Sequence, residues 1–404
     1  MQRIEARSVF KRAPRVVLAA GVFFLRVAVA GPPTLLSYVA DRSADPAGWG
    51  GDAGAVFAYD GSALLEWIAS PAWVDPCAAA TDSAGNLFVL DAASDPLNVG
   101  SPTGAIYRFD PVTRQVVLYA ASRDTLEMTD LALAGDGRIF VTGRAAAGPG
   151  GQLTGVVFVV DPNGQISVHV ASTQFSEPTG VAVAAPGELI VVDRSAAAGG
   201  TGHVGAVFRV LDSGQIEVLA TSAWFADLQD VVLAADGQSF LVADAEADPQ
   251  NLGYDGAVFR VTAGGAVSVH ATSPLFAHPC ELVSRADGGI LLLDSATDAG
   301  LPGGPRGVVF HVAAAGDVSI HIPASPGWQQ ATGLATEGSG TVARLGDLDG
   351  DGDVDLADFT VFQLCYGGSS VPAPTPCRIA DFDSDLDVDL SDFAIFQVNF
   401  TGSF

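Results

Sequence analysis

One short phrase, repeated at a fixed interval, limits what this chain can become. It reads GAVFAY at Gly54, GAIYRF at Gly104, GVVFVV at Gly155, GAVFRV at Gly205 and Gly256, and GVVFHV at Gly307. Successive intervals are 50, 51, 50, 51 and 51 residues. A constant period of that length marks a repeat architecture, because one unit cannot bury its own apolar face and needs like neighbours. Within each unit the apolar runs are short, rich in Val, Ile, Phe and Leu, and bounded by Gly, Asp, Asn or Pro turns. In the fourth unit they are GAVFRV, QIEVLA, DVVLAAD and SFLVAD. These are strand signals, four to a repeat, and no helical period competes with them. The pattern predicts an all-β, six-bladed propeller.

The phase of the repeat predicts how the ring closes. Leu35 to Asp41 followed by RSADPAGWGGDAGAVF matches LVADAEADPQNLGYDGAVF from Leu241, in strand and loop alike. The first blade segment is therefore a second strand. Its missing inner partner is ATGLAT at Ala331, so the last blade is expected to be stitched from both ends of the repeat region.

Residues 1–30 stand outside this pattern. Arg3, Arg7, Lys11, Arg12 and Arg15 precede an apolar run from Val16 to Ala30, and Ala28-Val29-Ala30 supplies small residues before Gly31. This is the layout of a signal peptide, so the mature protein is expected to be secreted or held at the cell surface. Arg26 interrupts the run and leaves a retained anchor as the alternative. Nothing later is long enough to span a membrane as a helix. The net charge of −27 excludes nucleic acid and anionic membranes as natural partners.

In an up-and-down blade, the loop into the first strand and the loop from second to third strand share one face. On that face Asp41, Asp91, Asp193, Asp244 and Asp294 end the second strands, with Gly143 as the exception. Asp45, Asp95, Asp248 and Asp298 follow four residues later. A second ring, Asp75, Glu127, Glu177, Asp227, His278 and Gln330, precedes the inner strands. One mouth of the channel is thus expected to be acidic, and two readings stand. The carboxylates hold a cation or perform acid/base chemistry, or each caps the turn that follows its strand. Recurrence in every blade favours capping, since a catalytic centre breaks the symmetry. Symmetry-breaking residues of this face are Arg144, Arg194, His203, His278 and Tyr254.

The aromatics Trp73, Phe175, Phe225, Phe276 and Trp328 are expected to pack between blades. His169, His270 and His321 take a place that Tyr119 or Leu219 fills elsewhere, which makes it a packing position. No serine-protease-like triad, phosphate loop or zinc-protease helix is present.

Residues 346–404 differ in kind, with twelve Asp, no Glu and one Arg. After a linker at 338–345, DLDGDGDVDLAD places Asp347, Asp349, Asp351, Asp353, Asp355 and Asp358 at loop positions 1, 3, 5, 7, 9 and 12, with Gly352 at the sharp turn. DFDSDLDVDLSD repeats the arrangement 34 residues later with Asp381, Asp383, Asp385, Asp387, Asp389 and Asp392. Hard Ca²⁺ takes six to eight oxygens, and this spacing wraps a loop around one ion, so Ca²⁺ is the expected cofactor. Leu386 replaces the turn glycine in the second loop. A matching helix follows each loop. Cys365 and Cys377 bracket the intervening Pro-rich stretch and are expected to form a disulfide, whereas Cys77 and Cys280 are expected to be buried free thiols.

The repeats, across residues 31–337, resemble six-bladed propellers of the NHL-repeat and gluconolactonase-like families. Some of those are metal-dependent lactonases, a likeness to which Glu127, Glu177 and the Asp ring would answer, although no Asn stands at the aligned channel positions. The tail, with Asp at position 12 and no entering helices, looks like the paired calcium loops of type I dockerins. That resemblance implies a small α-helical, EF-hand-like domain docking on a cohesin-type partner, with positions 10 and 11 (Leu356, Ala357, Leu390, Ser391) facing it. The combined expectation is a secreted binding or scaffolding protein that presents a ligand or glycan face, in the setting of extracellular polysaccharide handling. The alternatives are a lactonase- or lyase-like enzyme at the acidic mouth and a cell-surface structural protein.

Overall fold

A computed structural model describes residues 23–24, 36–44, 54–61, 63–82, 85–100, 103–110, 113–123, 125–145, 154–196, 205–253, 256–285, 287–297, 306–325, 328–336, 348, 354, 356–369, 371, 377, 380 and 387–400. Six antiparallel sheets form six blades, and in five of them four consecutive strands pair in sequence order. The inner strands are Pro76–Thr81, Leu126–Leu133, Pro178–Ala185, Leu228–Leu233, Pro279–Ser284 and Ala331–Thr336. In the sixth sheet Ala331–Thr336 pairs with Leu36–Asp41, with Val39 opposite Leu334, and Ala55–Asp60 and Ala63–Ala69 complete the blade. The ring is therefore closed by strands from both ends of the repeat region, as the phase of the repeat predicts. Phe23–Phe24 adds to the outer edge of this blade, pairing with Ala69 and Ile68. An unpaired edge offers free N–H and C=O groups to any neighbouring backbone. This two-residue pairing departs from the reading that keeps the whole amino-terminal segment apart.

The repeated phrase forms the third strand of each blade, and its aromatic residue explains its constancy. Phe57, Tyr107, Phe158, Phe208, Phe259 and Phe310 are all buried. In three blades this ring meets the aromatic that precedes the inner strand: Phe175 on Phe208 at 5.0 Å, Phe225 on Phe259 at 5.5 Å and Phe276 on Phe310 at 5.3 Å between centroids, while in the closing blade Trp328 meets Tyr59, two residues after Phe57, at 5.8 Å. The same rings fill the space between blades, where Val207 and Ala220 of one blade share a cluster with Phe225, Leu228 and Phe259 of the next. Edge-to-face pairs of this kind add to simple burial. The leading glycine is required by close approach: a Cβ at Gly256, where φ is 116°, would lie 2.5 Å from the Pro279 ring.

Side chains also tie the inner strands of successive blades. The hydroxyl of Thr129 donates to the Pro178 carbonyl, Thr179 to Leu228 and Thr332 to Pro76. Beyond the ring, two helices occur among the described residues, Leu356–Cys365 and Leu390–Asn399. Their facing aromatics, Phe359, Phe362, Phe393 and Phe396, pack together, with Phe362 and Phe396 buried. The expected disulfide Cys365–Cys377 is present, and Cys77 and Cys280 are free. No described helix is long and apolar enough to cross a membrane.

Closure depends on close contact at the inner strand that comes last. A Cβ at Gly333 would lie 2.9 Å from the Ala78 Cα and 3.0 Å from the Cys77 carbonyl oxygen, both of the neighbouring blade. Gly333→Val is expected to cost about 1–3 kcal/mol through overpacking, read as a lowered urea midpoint. Val168→Ala on an exposed outer strand serves as the control and should stay within about 0.5 kcal/mol of the parent.

Candidate functional site

The acids that end the second strands prove to be caps. Asp91 is fully buried and accepts four backbone N–H bonds, from Val74 at 2.6 Å, Asp75 at 3.1 Å, Ala93 at 3.1 Å and Ser94 at 2.9 Å. Asp193, Asp244 and Asp294 make the equivalent bonds in their own blades. Asp41 takes N–H groups from Gln329 and Gln330, which lie at the other end of the ring sequence. Burial pushes Asp41, Asp91, Asp193 and Asp244 upward, opposed by these donors. Each carboxylate is committed to the loop entering the inner strand, which leaves it nothing for a ligand. Where Gly143 replaces the cap, the Arg144 guanidinium donates to Glu127 at 2.6 Å, and Glu127 has a φ of 46°. Asp95 and Asp248 are likewise spent on N–H groups of their own loops. Asp45, Asp298, His203 and Tyr254 lie outside the described residues.

Among the described residues, the upper mouth is consequently not the acidic rim that the sequence suggests. Arg42 stands 2.8 Å from Asp75 and Arg194 stands 3.6 Å from Asp227, besides the Arg144–Glu127 pair. Ser195 donates to Glu177, and His278 Nδ1 lies 3.2 Å from the Ser295 hydroxyl. Below them is a polar cavity of about 840 Å³ lined by Arg42, Arg194, His278, Gln229, Gln330 and the threonines of the inner strands. Cys77 and Cys280 also line it, their thiols turned to the Leu90 and Leu293 carbonyls and pushed upward by burial. His169, His270 and His321 are on outer strands, where burial lowers each, in keeping with packing positions.

The chemistry that sequence reasoning missed lies deeper. Asp130, Asp230 and Glu281 occupy aligned places in three inner strands, where the other blades have Ala78, Gly180 and Gly333. All three are buried. Asp130 accepts from Leu131 at 2.6 Å and, across to the next blade, from Val181 at 2.8 Å. Asp230 repeats this with Val231 at 2.6 Å and Leu282 at 2.7 Å, and Glu281 accepts from Leu334. Gly180 permits the approach, since a Cβ there would fall 2.6 Å from the Asp230 Cα. The Asp130 and Asp230 carboxyls hydrogen-bond each other, which requires a shared proton. Desolvation, with no cation contributing, pushes Asp130 up to about 7, and desolvation plus its acidic neighbours drives Asp230 and Glu281 well above the usual range. On the other side of the trio is a second cavity of about 300 Å³, with walls from Leu131, Leu133, Val181, Val183 and Leu282. Glu281 borders both cavities. One signal was available in the sequence: an acid inside an apolar inner strand (TDLAL, QDVVL, CELVS) at a place where sister repeats carry Gly or Ala.

In the tail, one oxygen each from Asp387, Asp389 and Asp392 falls within 4.8 Å of the others. These are positions 7, 9 and 12 of the second loop. Asp389 also caps the following helix through the Ser391 N–H, and Asp392 accepts from the Asp389 N–H at 2.8 Å. In the first loop Asp358 is buried and accepts from the Leu348 N–H at 2.5 Å. Asp347, Asp349, Asp351, Asp353, Asp355, Asp381, Asp383 and Asp385 lie outside the described residues. An all-carboxylate donor set suits a hard cation such as Ca²⁺.

Among solved structures, the chain is similar to one from a nidogen/laminin complex, with a TM-score of 0.53 and 12% identity over 75% of this chain and 98% of that one. Virginiamycin B lyase from Staphylococcus aureus gives a TM-score of 0.43 and 14% identity, covering 62% of this chain and 71% of that one. A streptogramin B lyase gives 0.43 and 12%, covering 72% and 75%. At these identities the likeness is one of fold. No family model and no curated protein matches the sequence.

The carboxyl trio makes stability depend on pH with a definite sign. Folded-state values lie above the unfolded ones, so the folded protein keeps protons that the unfolded chain releases near pH 4. The stability that the trio contributes is full at low pH, falls as pH rises through about 7 for Asp130 and through the raised transitions of Asp230 and Glu281, and is flat above them. Glu281→Gln keeps the acceptor for Leu334 and removes one like charge. Urea midpoints at pH 5 and pH 8 should show the variant gaining about 1–2 kcal/mol on the parent at the higher pH.

Proposed function

We propose that this is an exported binding protein in two parts: a propeller that presents a ligand site at its upper mouth, and a calcium-folded, dockerin-like tail that attaches it to a cohesin-type module. The observation that carries the reading is the convergence of Asp387, Asp389 and Asp392 at loop positions 7, 9 and 12, in a motif that the sequence repeats 34 residues apart. The paired helices and the Cys365–Cys377 disulfide give the loops a common frame. Leu356 and Leu390, at position 10 of the two loops, are exposed and available to a partner. The amino-terminal basic and apolar segment supports export, and polysaccharide handling is the context such tails suggest.

A second reading is acid/base catalysis of the lyase or lactonase type. The Asp130–Asp230 pair supports it, since two carboxyls sharing a proton can hold one donor and one acceptor near neutral pH. Its place is within the channel and not at the rim. Turnover of sugar lactones or acidic polysaccharides that disappears in Asp130→Asn while folding persists would establish it.

Calcium calorimetry on the metal-stripped protein tests the first reading. Two sites per chain are expected, with Asp358→Ala and Asp392→Ala each removing one. Calcium at 100 times its dissociation constant should raise tail stability by about 2.7 kcal/mol per site. Absence of binding would sink the dockerin-like assignment, and a third site would move the cation to the propeller.

A further inference from the structure

The upper mouth contains one ring of equivalent positions at which the sixfold pattern is broken in a directed way. The residue after each cap aspartate is held by its own backbone: Arg42 N–H bonds to the Gln330 carbonyl, Ala92 to Asp75, Arg194 to Glu177, Ala245 to Asp227 and Ser295 to His278. The backbone is thus the same in five blades, and only the side chain varies. Three slots are Ala, Ala and Ser, and two are Arg. Arg42 belongs to the closing blade and Arg194 to the blade three places on, so in a ring of six they stand on opposite sides of the channel.

Arg42 and Arg194 both line the 840 Å³ cavity, whereas their acidic partners Asp75 and Asp227 do not. The carboxylates lie 2.8 Å and 3.6 Å from the respective Nε atoms. Neither Nε makes a hydrogen bond to its carboxylate, so neither guanidinium is spent on that pair, and both side chains are about two-fifths exposed. A planar guanidinium fork that is not consumed by a neighbouring carboxylate can take an oxyanion bidentately. Gln229, Gln330, Thr179 and His278 add hydrogen-bonding groups to the lining, and Glu281, whose carboxyl is pushed well upward by burial, is the acid that borders it.

From this geometry, and resting on the reading of the mouth as a ligand site, we infer that the propeller binds a small polar dicarboxylate across its upper mouth, one carboxylate on Arg42 and the other on Arg194. A single anion on one fork does not use the opposed pair. A neutral polar ligand uses neither.

Calorimetry of the full, calcium-loaded chain with linear α,ω-dicarboxylates of increasing length tests this, with the corresponding diamides as neutral probes and inorganic phosphate as a single-point anion. One chain length should bind best, with its diamide at least about 10-fold weaker. Arg42→Ala and Arg194→Ala should each weaken that dicarboxylate about 10- to 100-fold, a range set by loss of a charge-assisted bidentate pair. Alanine already occupies the slot in two other blades, so these variants retain the fold, and thermal unfolding checks it. Arg→Lys at either place should recover only part of the affinity, because a point charge lacks the fork. Three outcomes would overturn the inference: diamides binding as well as diacids, phosphate binding as tightly with dependence on one arginine alone, or no dicarboxylate bound by a chain that still takes up its calcium. The last leaves the calcium-dependent tail intact and removes only the ligand assignment.

Discussion

Five buried aspartates, each at the end of a second strand, set the frame for everything else in the propeller. A carboxylate removed from water must be met by donors, and here the donors are the N–H groups of the loop that leads into the inner strand. The bond fixes where each inner strand enters the channel and in what direction. Asp41 does this with Gln329 and Gln330, so the contact that positions the last inner strand also joins the two ends of the ring. Once the backbone after the cap is held in this way, the side chain there is free to change, and Arg42 and Arg194 exploit that freedom.

The channel interior follows from the inner strands being so placed. Acids at the aligned place of three inner strands reach across to N–H groups of the next blade, while glycine or alanine in the other three leaves room for them. Desolvation penalises their charge more than the hydrogen bonds compensate, so protons remain bound and the blades are stapled by carboxyls that titrate late. Glu281 separates a polar upper cavity from an apolar lower one. The two sides of one channel thus offer quite different chemistry.

The tail obeys a simpler rule. Twelve aspartates in fewer than sixty residues repel one another unless a cation intervenes. The second helix is capped by Asp389 and Asp392, and aromatic side chains pack between the two helices.

Local pattern was enough for the sequence to determine the blade count, the strands within each blade, closure by both chain ends and the disulfide at Cys365–Cys377. Each of these depends on period, phase or short spacing, which a linear chain displays directly. Tertiary structure alone decided what the acids do. Asp91 and Asp130 are both carboxylates near inner strands, yet one is spent on its own loop and the other meets Asp230 a hundred residues away. The opposition of Arg42 and Arg194, and the masking of the acidic rim by arginine, likewise exist only after the ring has closed. Burial, partner and distance are properties of the closed ring, and they determine whether a carboxylate is a cap, a staple or a ligand.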